Sequence, residues 1–166
     1  MGKGPSNSQD PESLEFASTD TKFQCTICGD CCQLEVFLTS ADVEKIRRRR
    51  GAEKYAEELS RSRSTLAASD GKPACLFLRH NRCSIYESRP LLCRIYPFFP
   101  IATEDLEASG LTMPSNAVRI AYGSTVYYFS MSRDCPGLGR GPIPEWGDIL
   151  LTWLQYVKEE KESFQR

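Results

Sequence analysis

Residues 25–32 read CTICGDCC and place four thiols within eight positions: Cys25, Cys28, Cys31 and Cys32. An x2 spacing allows a tight turn to direct successive sulfurs at one metal centre, while the intervening backbone N–H groups point at those sulfurs. Four more cysteines stand alone further along the chain: Cys75, Cys83, Cys93 and Cys135. We expect these eight thiols to converge as metal ligands and to hold the fold together.

The composition narrows the class of protein. The chain has 166 residues, with 21 Lys and Arg against 22 Asp and Glu, which gives a net charge of −1. This length fits one domain with a modest core, and the balanced charge argues against nucleic-acid binding driven by phosphate contacts. No apolar run approaches the roughly 20 residues that span a bilayer. The first ten residues, MGKGPSNSQD, lack the apolar region of a secretory leader. We therefore expect a cytoplasmic protein whose thiols bind metal rather than form disulfides.

The spacing of the cysteines favours iron but leaves the identity of the metal open. Two overlapping x2 steps followed by a remote cysteine before a proline, here Cys135-Pro136, are typical of ferredoxin-like iron–sulfur ligation. Structural zinc more often uses two separate knuckles, and the chain has no second one. We expect one or two iron–sulfur clusters, of the [4Fe–4S] type, with Zn²⁺ as the alternative. Because adjacent side chains diverge, Cys31 and Cys32 either serve two centres or one of them is spare.

The pattern along the chain predicts a small α+β domain over residues 21–166, preceded by a flexible tail over residues 1–20. Alternating apolar residues predict a short strand over 34–38. Thr39 and Asp42 then form a capping signal that begins a helix. We expect a second helix from Ala52 to about Arg61, and the core aromatic residues to include Phe37, Phe77, Tyr86, Tyr96, Phe98 and Trp153.

The second half of the chain carries further local signals. Residues 75–86 predict a β-hairpin around a polar turn, and residues 117–130 predict another. Pro90 suits the start of a short helix over 91–95. Apolar residues recur every three or four positions in 143–166, which predicts a C-terminal amphipathic helix packed on the core.

Cations and donors near the thiols are candidates for stabilising a bound group. A tetrathiolate centre of zinc or of a [4Fe–4S]²⁺ cluster carries a net charge of about −2 and needs nearby positive charge. Arg89, Arg94 and Tyr96 are the candidates, and the glycines of residues 137–141 allow backbone N–H groups to approach closely. His80, the one histidine of the chain, is expected in a solvated turn rather than as a ligand.

The order of the motifs resembles that of the YkgJ-type cysteine-cluster proteins, a group described as zinc- or iron-chelating. The matching motifs are Phe23-x-Cys25-x2-Cys28-Gly29-x-Cys31-Cys32, Leu38-Thr39-x2-Asp42, Cys75-x-Phe77-Leu78, Cys83-Ser84-Ile85-Tyr86-Glu87-x-Arg89-Pro90, Cys93-Arg94-x-Tyr96-Pro97-Phe98 and Cys135-x-Gly137-x-Gly139-x-Gly141. The resemblance covers about residues 23–141. The group in turn resembles the N-terminal region of flagellin lysine-N-methylases, whose cysteine-rich motif is linked to an iron–sulfur centre.

The resemblance implies a metal-binding module, often described as an iron–sulfur oxidoreductase without a defined substrate. The function expected from it is iron–sulfur cluster binding, with electron transfer or support of a protein partner that modifies other proteins. One alternative is a structural zinc module for protein interaction. Another is an autonomous metal-dependent oxidoreductase or methyl-transfer accessory, which would need an open coordination position or a pocket beside the metal.

Overall fold

The larger β-sheet is built around one long strand. The computed structural model describes residues 14–49, 55, 59, 63–65 and 75–164. Strand β4 (Phe98–Ala102) pairs with one edge of β6 (Thr125–Met131), and β5 (Arg119–Tyr122) and β1 (Glu15–Phe16) pair with the other. All three pairings are antiparallel. The hairpin predicted over 117–130 is confirmed as β5–β6.

A second, two-stranded sheet is the hairpin predicted over 75–86. Strand β2 (Leu78–Arg79) pairs with β3 (Arg82–Cys83). His80 and Asn81 form the turn with φ values of 48° and 57°. Two successive positive φ values are typical of the type I′ turn, whose twist matches that of the flanking strands. His80 is exposed in this turn, as expected.

Two of the described helices begin where the sequence signals predict. Helix α1 (Ser40–Arg47) has Thr39 at its N-cap, and a reciprocal capping box joins Thr39 to Asp42. Helix α2 (Leu91–Ile95) follows Pro90. Helices α3 (Thr103–Ala108) and α4 (Trp146–Phe164) follow, and 3₁₀ turns lie at Asp30–Gln33 and Tyr86–Ser88. Helices and antiparallel strands thus form an α+β domain, as predicted.

The apolar side chains form two cores. The first gathers around α1 and the β2–β3 hairpin, with Cys75 and Cys83 packed against its buried residues: Leu38, Val43, Ile46, Leu59, Leu76, Phe77 and Ile85. The second lies between the larger sheet and α4, which also packs against α2. Phe98 and Phe129 are almost fully buried in the second core and pack against Trp146.

Three sequence predictions need correction. The prediction of a flexible tail over residues 1–20 is wrong for residues 15–17, because β1 pairs with β6 and Ala17 is fully buried in the second core. Phe37 is not a core residue, since 55% of its surface is exposed. The strand over 34–38 is reduced to one bridge between Phe37 and Ser64. Residues 1–13 and most of the helix predicted over 52–61 lie outside the described residues.

The C-terminal helix, predicted to start near Pro144 and Glu145, begins at Trp146. Among the helices of the described part of the chain, none is long and apolar enough to cross a membrane.

Candidate metal centre

One cavity of about 50 Å³ collects every cysteine of the chain. Its lining includes Cys25, Cys28, Cys31, Cys32, Cys75, Cys83, Cys93 and Cys135. All eight are free thiols; Cys32 is buried and the other seven are half-buried. The convergence expected from the sequence is therefore present, and it joins thiols from five separated segments of the chain.

The CTICGDCC segment is shaped by two residues in the left-handed region and one 3₁₀ turn. Ile27 has a φ of 55° and Gly29 a φ of 81°, and the 3₁₀ turn then carries Cys31 and Cys32. A Cβ on Gly29 would lie 2.8 Å from the carbonyl oxygen of Asn81. Gly29 is thus required both by its φ and by the close approach of the β2–β3 turn.

The hairpin cysteines are joined to this segment by the backbone. The Cys75 N–H donates to the Cys32 carbonyl at 2.9 Å, and Cys83 ends strand β3. Cys93 comes from the short helix α2. The first N–H of that helix, on Leu91, donates to Asp42 Oδ1 at 3.1 Å. The capping carboxylate of α1 therefore also anchors the helix that carries Cys93.

Cys135 is placed by the glycine-rich loop. This loop runs alongside the residues before Cys25: the Gln24 N–H donates to the Gly137 carbonyl at 3.1 Å, and the Gly139 N–H donates to the Lys22 carbonyl at 2.9 Å. A Cβ on Gly137 would lie 2.5 Å from the Gln24 carbonyl oxygen. This packing brings the last cysteine of the chain beside the first.

Three of the thiols receive a backbone hydrogen bond from the residue two positions later. The Phe77 N–H donates to Cys75 Sγ at 3.4 Å, the Ile85 N–H donates to Cys83, and the Gly137 N–H donates to Cys135. The sequence predicted such donors for the glycine loop, and Gly137 supplies one. N–H groups directed at sulfur stabilise the thiolate form that metals require.

Three thiols surround the thiol of Cys32. The Cys32 thiol lies within hydrogen-bonding reach of those of Cys31, Cys75 and Cys83. Hydrogen bonding to Cys32 lowers the pKa of Cys83 to about 6, with smaller help from the positive charges of Arg89 and Arg49.

The same contact shifts the remaining thiols of this group in opposite directions. It lowers the pKa of Cys31 to about 7 and also lowers the pKa of Cys75, while the pKa of Cys32 is raised because its proton is shared with its three neighbours. Part of the group therefore favours the thiolate form near neutral pH. The adjacent residues Cys31 and Cys32 face each other rather than opposite sides.

The pKa values of two other thiols move upward. Burial raises the pKa of Cys93, and the nearby Cys31, Cys75 and Cys83 add to the effect. Burial also raises the pKa of Cys135, with contributions from Cys28 and Cys25. A buried thiol of this kind ionises readily only when a cation is close enough to compensate its charge.

The three predicted accessory residues have different positions. Arg89 and Tyr96 line the cavity, and the Tyr96 hydroxyl donates to Ser132 Oγ at 3.3 Å. Arg94 is exposed and is absent from the lining. Tyr86, predicted only as a core residue, also lines the cavity, and its hydroxyl hydrogen-bonds the thiol of Cys25. Its position between two cysteine motifs and close to Arg89 was a signal in the sequence.

The donor set fits a thiophilic metal. Thiolate sulfur is the ligand that structural zinc and iron–sulfur clusters share, and eight sulfurs around one cavity provide two complete tetrathiolate sets. Within the described residues, no group of three or more Cys, His, Asp or Glu side chains already has the arrangement of a metal site. The fit therefore depends on donor chemistry and on convergence, with ligand geometry completed on binding.

A family model matches residues 24–118, more than half of the chain. It is the CxxCxxCC family, described as "Putative zinc- or iron-chelating domain". The matched region contains seven of the cysteines that line the cavity and ends before Cys135. No curated protein and no solved structure shows significant similarity to the chain. The motif at residues 25–32, the convergence of the thiols and this match together lead to one conclusion: the chain belongs to the CxxCxxCC family of metal-chelating domains.

Proposed function

We propose that this protein binds an iron–sulfur cluster and acts in electron transfer or as an accessory to an enzyme that modifies protein. The observation that carries the proposal is the presence of eight thiols around one cavity. A single structural zinc site needs four ligands, so half of these thiols would be left without a role. A cavity needs roughly 10–15 Å³ to hold one water. The cavity of about 50 Å³ therefore has room for more than a single ion.

The charges around the cavity support a thiolate-bound centre. Cys31 and Cys83 have pKa values of about 7 and about 6, so they lose their protons to a metal with little cost at neutral pH. The three N–H···S hydrogen bonds stabilise the same charge, and in iron–sulfur proteins such bonds also tune the reduction potential. When bound, the cluster would supply a one-electron redox couple. The protein would bind it, shield it from water and orient it towards a partner protein.

A structural zinc module is the second candidate, and one observation favours it. The thiols of Cys31, Cys32, Cys75 and Cys83 form a contiguous four-sulfur group beside the first core. A zinc ion held there would join the 3₁₀ turn to the β2–β3 hairpin and add its binding free energy to folding. An autonomous enzyme has less support, because the described residues that line the cavity include no histidine and one carboxylate, that of Asp30.

The decisive experiment is metal and acid-labile sulfide analysis of the full chain purified without oxygen. We expect iron and sulfide in equal amounts, a brown colour with broad absorbance near about 400 nm, and reversible bleaching on reduction. Cys32→Ser is the test variant and Ser84→Ala, on the neighbouring hairpin, is the matched control. A colourless protein that holds zinc and no sulfide would refute the cluster and select the zinc module. A cytoplasmic location belongs to the same proposal, since free thiols persist in a reducing compartment.

A further inference from the structure

The cavity contains many sulfurs and little positive charge. Among the described residues that line it, Arg89 is the one cation. A tetrathiolate centre with a net charge of about −2 is costly to bury without a cation close by. The position of Arg89 therefore matters more to a bound metal than the position of the other arginines near cysteines in the sequence.

Tyr86 holds Arg89 in place through two contacts. The guanidinium carbon of Arg89 lies 3.7 Å from the centroid of the Tyr86 ring, and Arg89 Nε donates to the Tyr86 carbonyl at 2.9 Å. A guanidinium stacked on an aromatic ring gains electrostatic attraction and loses side-chain freedom. The segment between Tyr86 and Arg89 is held by a further hydrogen bond, because the Arg49 guanidinium donates to Ser88 Oγ at 3.0 Å.

The hydroxyl of the same tyrosine reaches the thiols. It hydrogen-bonds the thiol of Cys25, the first cysteine of the CTICGDCC segment. One side chain thus contacts a candidate ligand with its hydroxyl and the cation of the cavity with its ring. Arg94 is also close to cysteines in the sequence, but it is exposed and does not line the cavity.

We propose that Tyr86 and Arg89 form one positioning unit, in which Tyr86 holds the guanidinium of Arg89 at the thiol cavity so that its charge strengthens metal binding. The inference rests on the proposed metal-binding function, and it assigns a specific task to two residues that are not themselves ligands. Tyr86 acts through Arg89 and through Cys25, and Arg89 acts through its charge.

The test measures metal affinity in the full-length, metal-free protein. Zn²⁺ would be titrated against a competing chelator, and Co²⁺ would report thiolate ligation through its charge-transfer absorbance. We expect Arg89→Gln to weaken Zn²⁺ binding by about 10- to 100-fold, the range found when groups that support metal ligands are removed. Arg89→Lys, which keeps the charge, should recover part of this loss. Arg94→Gln is the control and should bind like the wild type.

The tyrosine is tested with two substitutions. Tyr86→Phe keeps the ring under Arg89 and loses only the hydroxyl, so we expect less than about a tenfold loss of affinity; Tyr86→Leu removes both contacts and should match Arg89→Gln. Circular dichroism of each metal-free variant identifies any that fail to fold. If Arg89→Gln or Tyr86→Leu fails to fold, the Zn²⁺ affinities of Arg89→Lys and Tyr86→Phe test the inference instead. Equal affinities for Arg89→Gln and Arg94→Gln, in a wild type that binds metal, would overturn this inference alone. A wild type that binds neither Zn²⁺ nor Co²⁺, and carries no cluster when purified without oxygen, would overturn the proposed function as well.

Discussion

Replacing Gly137 by alanine should separate the Cys135 loop from the CTICGDCC segment. The Cβ of the new residue would lie 2.5 Å from the Gln24 carbonyl oxygen and 2.8 Å from Phe23 Cε2. The first of these atoms belongs to the backbone, so the clash is not relieved by rotating a side chain. Either the loop or residues 23–24 must move by several tenths of an ångström.

The expected cost follows from the interactions that this movement breaks. Overpacking of this kind costs about 1–3 kcal/mol. The displaced segments also share hydrogen bonds, among them Gln24 N–H to the Gly137 carbonyl at 3.1 Å and Phe23 N–H to the Pro142 carbonyl at 3.0 Å. Each such bond contributes about 0.5–1.5 kcal/mol. We expect Gly137→Ala to lose about 3 kcal/mol of unfolding free energy, or about 6–12 °C in Tm for a chain of this size.

Two other glycines provide matched controls. Gly147, in helix α4, has open space around its Cβ position, so Gly147→Ala should stabilise the helix by about 0.5–1 kcal/mol. Gly139 also has open space but a φ of 75°, so Gly139→Ala should cost about 1 kcal/mol through backbone strain alone.

The assay is thermal and urea denaturation of the three variants in metal-free form, followed by metal analysis of protein purified without oxygen. Because the clash displaces Cys135, Gly137→Ala should also hold less metal than Gly139→Ala. A Gly137→Ala protein as stable as Gly139→Ala would show that the close approach to Gln24 is not rigid, and the reasoning would fail.

Three further predictions concern single side chains. Cys32→Ser should weaken metal binding by more than about 100-fold. It should also lower the Tm of the metal-loaded protein, because metal affinity in such sites is part of the folding free energy. A Cys32→Ser protein with full metal content would contradict this prediction. Asp42→Ala should destabilise the fold by more than Asp42→Asn, because the carboxylate accepts from both the Thr39 N–H and the Leu91 N–H, whereas the amide can accept at one oxygen only. Each donor left without an acceptor should cost about 1–3 kcal/mol of unfolding free energy, measured by urea denaturation. Equal stabilities of the two variants would exclude the shared cap. In the metal-free protein, Cys83 with its pKa of about 6 is about 90% thiolate at pH 7 and about 10% at pH 5. The rate of its alkylation, followed by mass spectrometry, should therefore fall about tenfold from pH 7 to pH 5. An unchanged rate would show that the lowered pKa is absent.

Local signals account for much of the fold. The capping box of Thr39 and Asp42, the helix after Pro90 and the two hairpins were predictable, because each depends on residues within a few positions of one another. Strand β1 was not predictable in the same way, since its two residues pair with β6 more than a hundred positions later. Too little apolar surface is present in that stretch for a pattern to indicate it.

The sequence by itself determined the chemistry of the site, because eight thiols with this spacing are suited to a thiophilic metal wherever they converge. Only the tertiary structure decided which side chains lie beside these thiols. Arg94 directly follows Cys93 in the sequence and Arg89 is further from any cysteine, yet Arg89 lines the cavity and Arg94 is exposed. Successive residues of a helix point about 100° apart, so Arg94 turns away from the side on which Cys93 faces the cavity. The contact of the Tyr86 hydroxyl with Cys25 likewise joins segments sixty residues apart, and only folding brings them together.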